Sequence, residues 1–276
     1  IVPSVPLILY GIVAQQMNVG ETFTIQQLFL AGLVPAFLMI VMLSAWTIWR
    51  HGDVARTRFE GKQVWAAAKA ARWELPLPIV VLGGIYTGAF AVSEAAAMTA
   101  LYVIFAEVFL YRDVNIKSLP RITRDSMVMV GSIILILGTA LAFTNFLVDA
   151  EVPQRLFEFM QVHITDALTF LILLNLLLLV LGAVLDVFSA VIIMVPLLLP
   201  VAVGYGIHPV HLGIIFLANL QIGYFTPPIG MNLFIASYRF NRPVLELYRA
   251  CLPFMIVLLL ALILITYVPA LSLWFL

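Results

Sequence analysis

Long apolar runs broken by short polar or proline-rich interruptions dominate this chain, and the lengths of those runs predict its elements. Residues 28–49, 127–148 and 252–275 carry no charge. Each is at least as long as the ~20 residues a helix needs to cross a bilayer, so each is predicted to span. Residues 167–181 and 189–203 are as apolar but shorter, and Gly182-Ala183-Val184-Leu185-Asp186-Val187-Phe188 joins them. That pattern predicts a re-entrant hairpin turning near Asp186. Residues 75–111, nearly uncharged between two basic segments, predict two short crossings or a re-entrant piece, bending at Gly83-Gly84 or between Gly88 and Ser93. Residues 64–73 alternate Trp, Ala and Lys or Arg at helical spacing, as an amphipathic helix lying at the membrane interface does.

The run 211–238 is interrupted by Thr226-Pro227-Pro228-Ile229-Gly230-Met231-Asn232. Proline lacks an amide donor and clashes with the carbonyl four residues back, so no helix passes through this stretch intact. The carbonyls before Thr226 and the amides after Pro228 lose their helical partners, which in lipid costs several kcal/mol per group. Such a break is tolerated where protein, water or a bound ion satisfies the freed groups, and secondary transporters build their sites this way. Ile1-Val2-Pro3-Ser4 is a second proline break, in a helix predicted to run in the opposite direction, and the pair resembles an inverted repeat. The chain opens inside this apolar sequence without an initiator Met, which predicts that more of the same membrane domain precedes it.

Composition strengthens the membrane reading. Hydrophobic residues make up 64% and charged residues 10%, and mean hydropathy is +1.13, whereas a soluble domain is about a quarter charged. The predicted class is an all-α polytopic membrane protein whose first partner is the lipid bilayer. A net charge of zero gives no footing for nucleic acid. No Walker A motif, Ser-His-Asp set or CxxC spacing occurs, so neither ATP hydrolysis nor covalent catalysis is encoded and no enzyme is expected. The basic segments at 50–72, 112–124 and 239–249 are predicted cytoplasmic, and the acid-rich stretch 149–166 is predicted outside, which leaves the C-terminus periplasmic.

Within that topology the candidate site follows from chemistry. Asp186 is the only acid between Asp166 and Glu246. A carboxylate at membrane depth suits an ion site, and an Asp at a hairpin turn equally suits capping of the second helix. Gly182 and Ser189 flank it. At the second break, carbonyls near Gly223 and the Thr226 hydroxyl beside Pro227 offer hard oxygens that suit Na⁺. Pro3 and Ser4 occupy the same place at the first break. The amides after Pro228, with Gly230 and Asn232, begin a new half-helix whose positive end suits an anionic substrate group. Ser93 is read as a cap with Glu94 in the first helical turn. His163, His208 and His211 are too scattered for a metal site, and Cys251 is read as a small core residue.

The order and spacing of several segments add a resemblance. Gly182-Ala183-Val184-Leu185-Asp186, Pro196-Leu197-Leu198-Leu199-Pro200, Asn219-Leu220-Gln221-Ile222-Gly223, Thr226-Pro227-Pro228-Ile229-Gly230-Met231-Asn232 and Ile265-Thr266-Tyr267-Val268-Pro269 resemble the large membrane subunit of tripartite ATP-independent periplasmic (TRAP) transporters. The likeness covers nearly the whole chain, with about the first third of such a subunit absent. It implies an elevator-type ion transporter superfamily fold with re-entrant hairpins, broken helices and inverted repeats, in the bacterial inner membrane. Residues 1–14 would be the second half of the first broken helix, and 28–148 mainly scaffold with an amphipathic arm at 63–74. Residues 166–240 would be the second hairpin and second broken helix of the transport part, and 252–275 a C-terminal span. The resemblance further implies Na⁺-coupled import of an organic acid delivered by a periplasmic substrate-binding protein, with a small membrane subunit as partner. Val2 stands where the family usually has a second proline, and Ala91-Val92-Ser93-Glu94 replaces a more usual Thr-Pro-Thr-Glu. A stand-alone Na⁺/carboxylate permease and a non-transporting structural subunit remain open alternatives.

Overall fold

The computed structural model describes residues 4–50, 60–164, 166–227 and 230–275. These are helices and their connections, with no strand among the described residues: Val5–Gln16 (α1), Ile25–Arg50 (α2), Gly61–Ala70 (α3), Pro76–Tyr86 (α4), Val92–Phe105 (α5), Leu119–Asp149 (α6), Val152–His163 (α7), Ala167–Val184 (α8), Val187–Gly204 (α9), Pro209–Gly223 (α10), Met231–Phe240 (α11), Val244–Tyr267 (α12) and Ala270–Leu273 (α13). A π-helical turn, Ala106–Tyr111, prolongs α5. Among the described residues, five segments are long and apolar enough to cross a membrane, namely α2, Ser93–Tyr111, α8, α9 and α12, while α1, α4 and α10 are shorter apolar helices. The protein is an all-α polytopic membrane protein. Its helices fall into two compact units, residues 1–52 with 134–276, and residues 53–133.

The first unit is organised around α10. Every residue of this helix except Gln221 is buried, under α8, α2, α9, α12, α1 and α13. A helix with apolar residues on every side has no face to give to water and takes the core position. Its start is fixed locally: Pro209 fills the first turn, where a missing amide costs nothing, and His208 Nδ1 accepts from Val210 N at 3.1 Å. Asp166 caps α8 in the same manner, accepting from Thr169 N at 2.9 Å and from the Thr169 hydroxyl at 2.8 Å. These bonds hold the exposed Asp166 carboxyl below its ordinary range. Around the rim, Tyr205 stacks on Phe170 with ring centroids 4.7 Å apart and donates to Ile164 O at 2.9 Å. Many apolar side chains point outward from the spanning helices, among them Phe37 and Ile40 on α2 and Leu168 and Leu176 on α8, as a lipid-facing surface requires.

The hairpin is tighter than the sequence pattern predicts. Helices α8 and α9 each run 18 residues, so the connector shrinks to Leu185 and Asp186. Because Asp186 both ends the turn and caps α9, accepting from Ser189 N at 3.0 Å, no further linker is needed. Helix α1 crosses α10 closely: the Tyr10 ring lies against Gly213 and its hydroxyl donates to Pro209 O at 2.6 Å. Gly20 also approaches Pro209, so the two helices are antiparallel. Six residues of helical rise, about 9 Å, then carry α1 from Tyr10 back to Ser4, toward the Asn219–Gly223 end of α10.

In the second unit the bend falls at Thr87–Ala91, where Gly88 takes φ +75° and the Phe90 ring folds back over Gly84. The expected Ser93 cap is displaced. Helix α5 starts from Ala91, and Glu94 reaches back to accept from Ala91 N at 2.9 Å, which satisfies a first-turn amide without the Ser93 hydroxyl.

Replacing Tyr10 by Phe removes the buried donor to Pro209 O and is expected to cost about 1 kcal/mol. That should appear as a fall of roughly 2–4 °C in the thermal midpoint in detergent; an unchanged midpoint would show that the α1–α10 crossing does not depend on this bond.

Candidate functional site

The hairpin turn and the second helix break meet backbone to backbone. A Cβ placed on Gly223, the last residue of α10, would stand 2.6 Å from both the Cα and the carbonyl carbon of Gly182, and one on Gly182 would stand 3.0 Å from Leu220 Cα. Only glycine at both positions lets the end of α8 lie against the end of α10. One residue past the turn, Val187 N donates to the Tyr224 hydroxyl at 2.8 Å. Gly182 is thereby brought against Gly223, and the start of α9, which Asp186 caps, against Tyr224.

The break itself is partly self-satisfied. Phe225 N donates to Ile222 O at 3.0 Å, Thr226 N to Gly223 O at 2.8 Å, and the Thr226 hydroxyl to Ile222 O at 3.0 Å. The carbonyls of Ile222 and Gly223, at the start of the stretch the sequence leaves without helical partners, are therefore already engaged. Two others turn toward the start of α11. A Cβ on Gly230 would stand 3.1 Å from Thr226 O, 3.4 Å from Tyr224 O and 3.3 Å from the Tyr248 hydroxyl. Gly230 caps α11 with φ +55°, a left-handed conformation that glycine adopts without penalty. Asn232 follows in the first turn and is half-buried, and Pro227 is exposed. At the other break, Ser4 caps α1 by accepting from Leu7 N at 3.4 Å. Pro3 and Pro228 lie outside the described residues.

Chemically, the second break gathers hard carbonyl oxygens, a phenol and a helix N-terminus in one place. Oxygen ligands of this type suit an alkali cation, and first-turn amides suit an anion.

Directly behind the break runs a buried polar seam that reading the sequence by runs and motifs does not reveal. His211, Ile215, Asn219 and Gly223 recur every four residues and share one face of α10. Asn219 Nδ2 donates to Ile215 O at 2.8 Å and to Asn175 Oδ1 on α8 at 2.6 Å, and Asn175 Nδ2 donates to the Thr266 hydroxyl on α12 at 3.2 Å. His211 Nε2 lies 3.2 Å from Thr266 O, and its Nδ1 lies 2.6 Å from the Ser272 hydroxyl. A carbonyl only accepts, so Nε2 carries a proton, while the Ser272 hydroxyl lies between Nδ1 and Pro269 O, the latter 3.2 Å away. His211 is thus a buried tie between α10, α12 and α13. His208, by contrast, reaches Glu21 at 3.3 Å while capping α10. The available signal was Asn175 and Asn219, lone amides in apolar runs, because polar groups in hydrocarbon need partners.

Residues 1–271 match the family model described as "Tripartite ATP-independent periplasmic transporter, DctM component". The chain belongs to the DctM family. It is 37% identical to the C4-dicarboxylate TRAP transporter large permease protein DctM of Rhodobacter capsulatus, over 98% of this chain and 64% of that protein. It is 31% identical to the sialic acid TRAP transporter large permease protein SiaM of Vibrio cholerae, over 98% of this chain and 62% of the relative. A similarity of 34% extends to the isethionate TRAP transporter permease protein DctMQ of Oleidesulfovibrio alaskensis, over 99% of this chain and 42% of that one. The chain therefore spans less than two thirds of the length of these relatives.

Gly223→Ala forces the ends of α8 and α10 apart and is expected to lower stability by about 1–3 kcal/mol. Gly83→Ala is the control, since a Cβ there meets nothing within 4 Å. Equal thermal midpoints for the two variants in detergent would show that the glycine contact is dispensable.

Proposed function

We propose that this chain is part of a secondary importer in a bacterial inner membrane that uses Na⁺ to drive uptake of an organic acid. The observation that carries the reading is the hairpin turn seated on the helix break, with the Tyr224 and Thr226 carbonyls turned toward the start of α11. Na⁺ would draw on backbone oxygens beside Gly182, Gly223, Thr226 and Pro227, with Asp186 supplying negative charge and Ser189 completing the turn. A second Na⁺ would use the region of Pro3 and Ser4, and α1 carries Ser4 toward the same level as the second break. Each ion would replace scarce backbone donors with a charge and draw hairpin and break together. The anionic end of the solute would meet the first-turn amides after Pro228, at Gly230 and Asn232.

The relatives' solutes fit this chemistry. C4-dicarboxylates and sialic acid carry carboxylates and isethionate carries a sulfonate, so a site built on a helix N-terminus serves all of them. Delivery by a periplasmic binding protein, a small membrane subunit on the scaffold helices, a periplasmic C-terminus and an elevator-type movement of the hairpin and broken helices complete the proposal.

Uptake into proteoliposomes holding the full-length protein and its small partner tests it. Accumulation of a labelled dicarboxylate or sialic acid is expected only with an inward Na⁺ gradient and an added binding protein. Uptake on Na⁺ alone would indicate a stand-alone permease, and no uptake of any organic acid under any gradient would overturn the transport reading.

Two substitutions at Asp186 separate its roles. Asn keeps a capping acceptor and Ala does not. With Asn, uptake is expected to persist while half-saturation moves to several-fold higher Na⁺; with Ala, thermal stability should fall as well. An unchanged Na⁺ requirement in the Asn variant would reduce Asp186 to a helix cap.

A further inference from the structure

The unit of residues 53–133 carries a feature that the transport site does not use. Lys62, Trp65 and Lys69 recur at three- and four-residue intervals on one face of α3. Helical hydrogen bonds continue past Ala70, with Ala71 N donating to Ala67 O and Leu75 N to Ala71 O, both at 2.9 Å. Arg72 extends the same face, and its guanidinium lies 5.4 Å from the centre of the Trp73 ring. All five side chains are exposed, Trp65 to 74%. Of the neighbouring acids, Glu60 accepts from Gln63 Nε2 at 2.9 Å, and Glu74 follows Trp73. Tryptophan among cations on an exposed face is the pattern of a surface held at phospholipid headgroups.

Immediately beyond this turn, α4 and α5 enclose an apolar groove of about 110 Å³, lined by Leu77, Val80, Val81, Phe90, Met98 and Tyr102 among others. Pro76 at the start of α4 forms part of its wall, three residues after Trp73. The Tyr102 hydroxyl donates to Trp73 O, which ties the groove to the cationic turn. The hydroxyls bordering the groove are spent, Tyr102 on that carbonyl and Thr99 on Ala95 O at 2.7 Å. Its interior therefore suits hydrocarbon, and the chain enters it through Trp73 and Pro76 directly after the exposed cations Lys69 and Arg72.

From this juxtaposition we infer that residues 62–102 hold one anionic phospholipid, with the phosphate on Lys69 and Arg72 and a segment of acyl chain in the α4–α5 groove. The cations select the lipid by charge and the groove keeps it in place. Neutral lipid satisfies only the second requirement.

Brominated lipids report the site, because bromine in an acyl chain quenches nearby tryptophan. The full-length protein is reconstituted in phosphatidylcholine vesicles containing brominated phosphatidylglycerol or, separately, brominated phosphatidylcholine at the same fraction. Emission attributable to Trp65 and Trp73 is isolated by difference from the corresponding Phe variants. Half-maximal quenching is expected at a roughly fivefold or lower fraction of phosphatidylglycerol than of phosphatidylcholine. The preference should vanish in Lys69→Gln/Arg72→Gln, and Met98→Trp, which fills the groove, should weaken quenching by both lipids. Equal quenching by the two lipids, a preference that survives the double charge substitution, or no quenching because another protein segment covers the face would each overturn the assignment.

Discussion

In hydrocarbon, an interrupted helix cannot leave its loosened amides and carbonyls to water, so every break must be covered by something that hydrogen-bonds. Here the cover is another piece of backbone. The turn between α8 and α9 lies so close to the end of α10 that neither Gly182 nor Gly223 has room for a side chain. Tyr224 bridges to the first amide of α9. The position of the hairpin, the direction of the broken helix and the orientation of the carbonyls near Gly230 all depend on that contact. Asp186 completes the arrangement by ending α8's connector and starting α9 with one carboxylate.

Behind the contact, rigidity comes from polar rather than apolar pairing. Asn219 sits one helical turn before Gly223, and through Asn175 and Thr266 it ties α10 to α8 and α12. His211 and Ser272 extend the connection to α13. Interhelical hydrogen bonds in a bilayer add modest free energy each but specify register strongly, since a slipped helix would strand its amides in lipid. The break is thus held from one side by glycine packing and from the other by fixed register.

How much of this was legible in the sequence depended on whether a residue has a chemistry that lipid forbids. Prolines and charges do, so the break at Thr226–Pro227 and the hairpin turn at Asp186 could be read from them, whereas at residues 75–111 glycines offered two places to bend and the chain uses the one at Gly88. Asn175 and Asn219 carried the same kind of signal, but their partnership was not readable. Helices α8, α9 and α10 carry apolar residues on every side, so hydrophobic periodicity does not tell which faces meet. Helix ends were misjudged for a related reason. Aliphatic residues such as Val184 and Val187 have no preference that distinguishes the last turn of a helix from a loop, and the cap chemistry of Asp186 decided the boundary instead. At Ala91 the cap came from a side chain three residues further on, which a search for Ser or Thr at the boundary overlooks.

A two-residue connector has few dihedral angles to spend. With Leu185 and Asp186 as the only residues between two 18-residue helices, the tip cannot peel away from the break as a flexible flap would without uncapping α9. On the transport reading proposed above, access beneath the tip would be opened by α8 and α9 moving together. Compliance in this part of the molecule therefore resides in the longer connections outside the hairpin, and the turn behaves as a rigid lip.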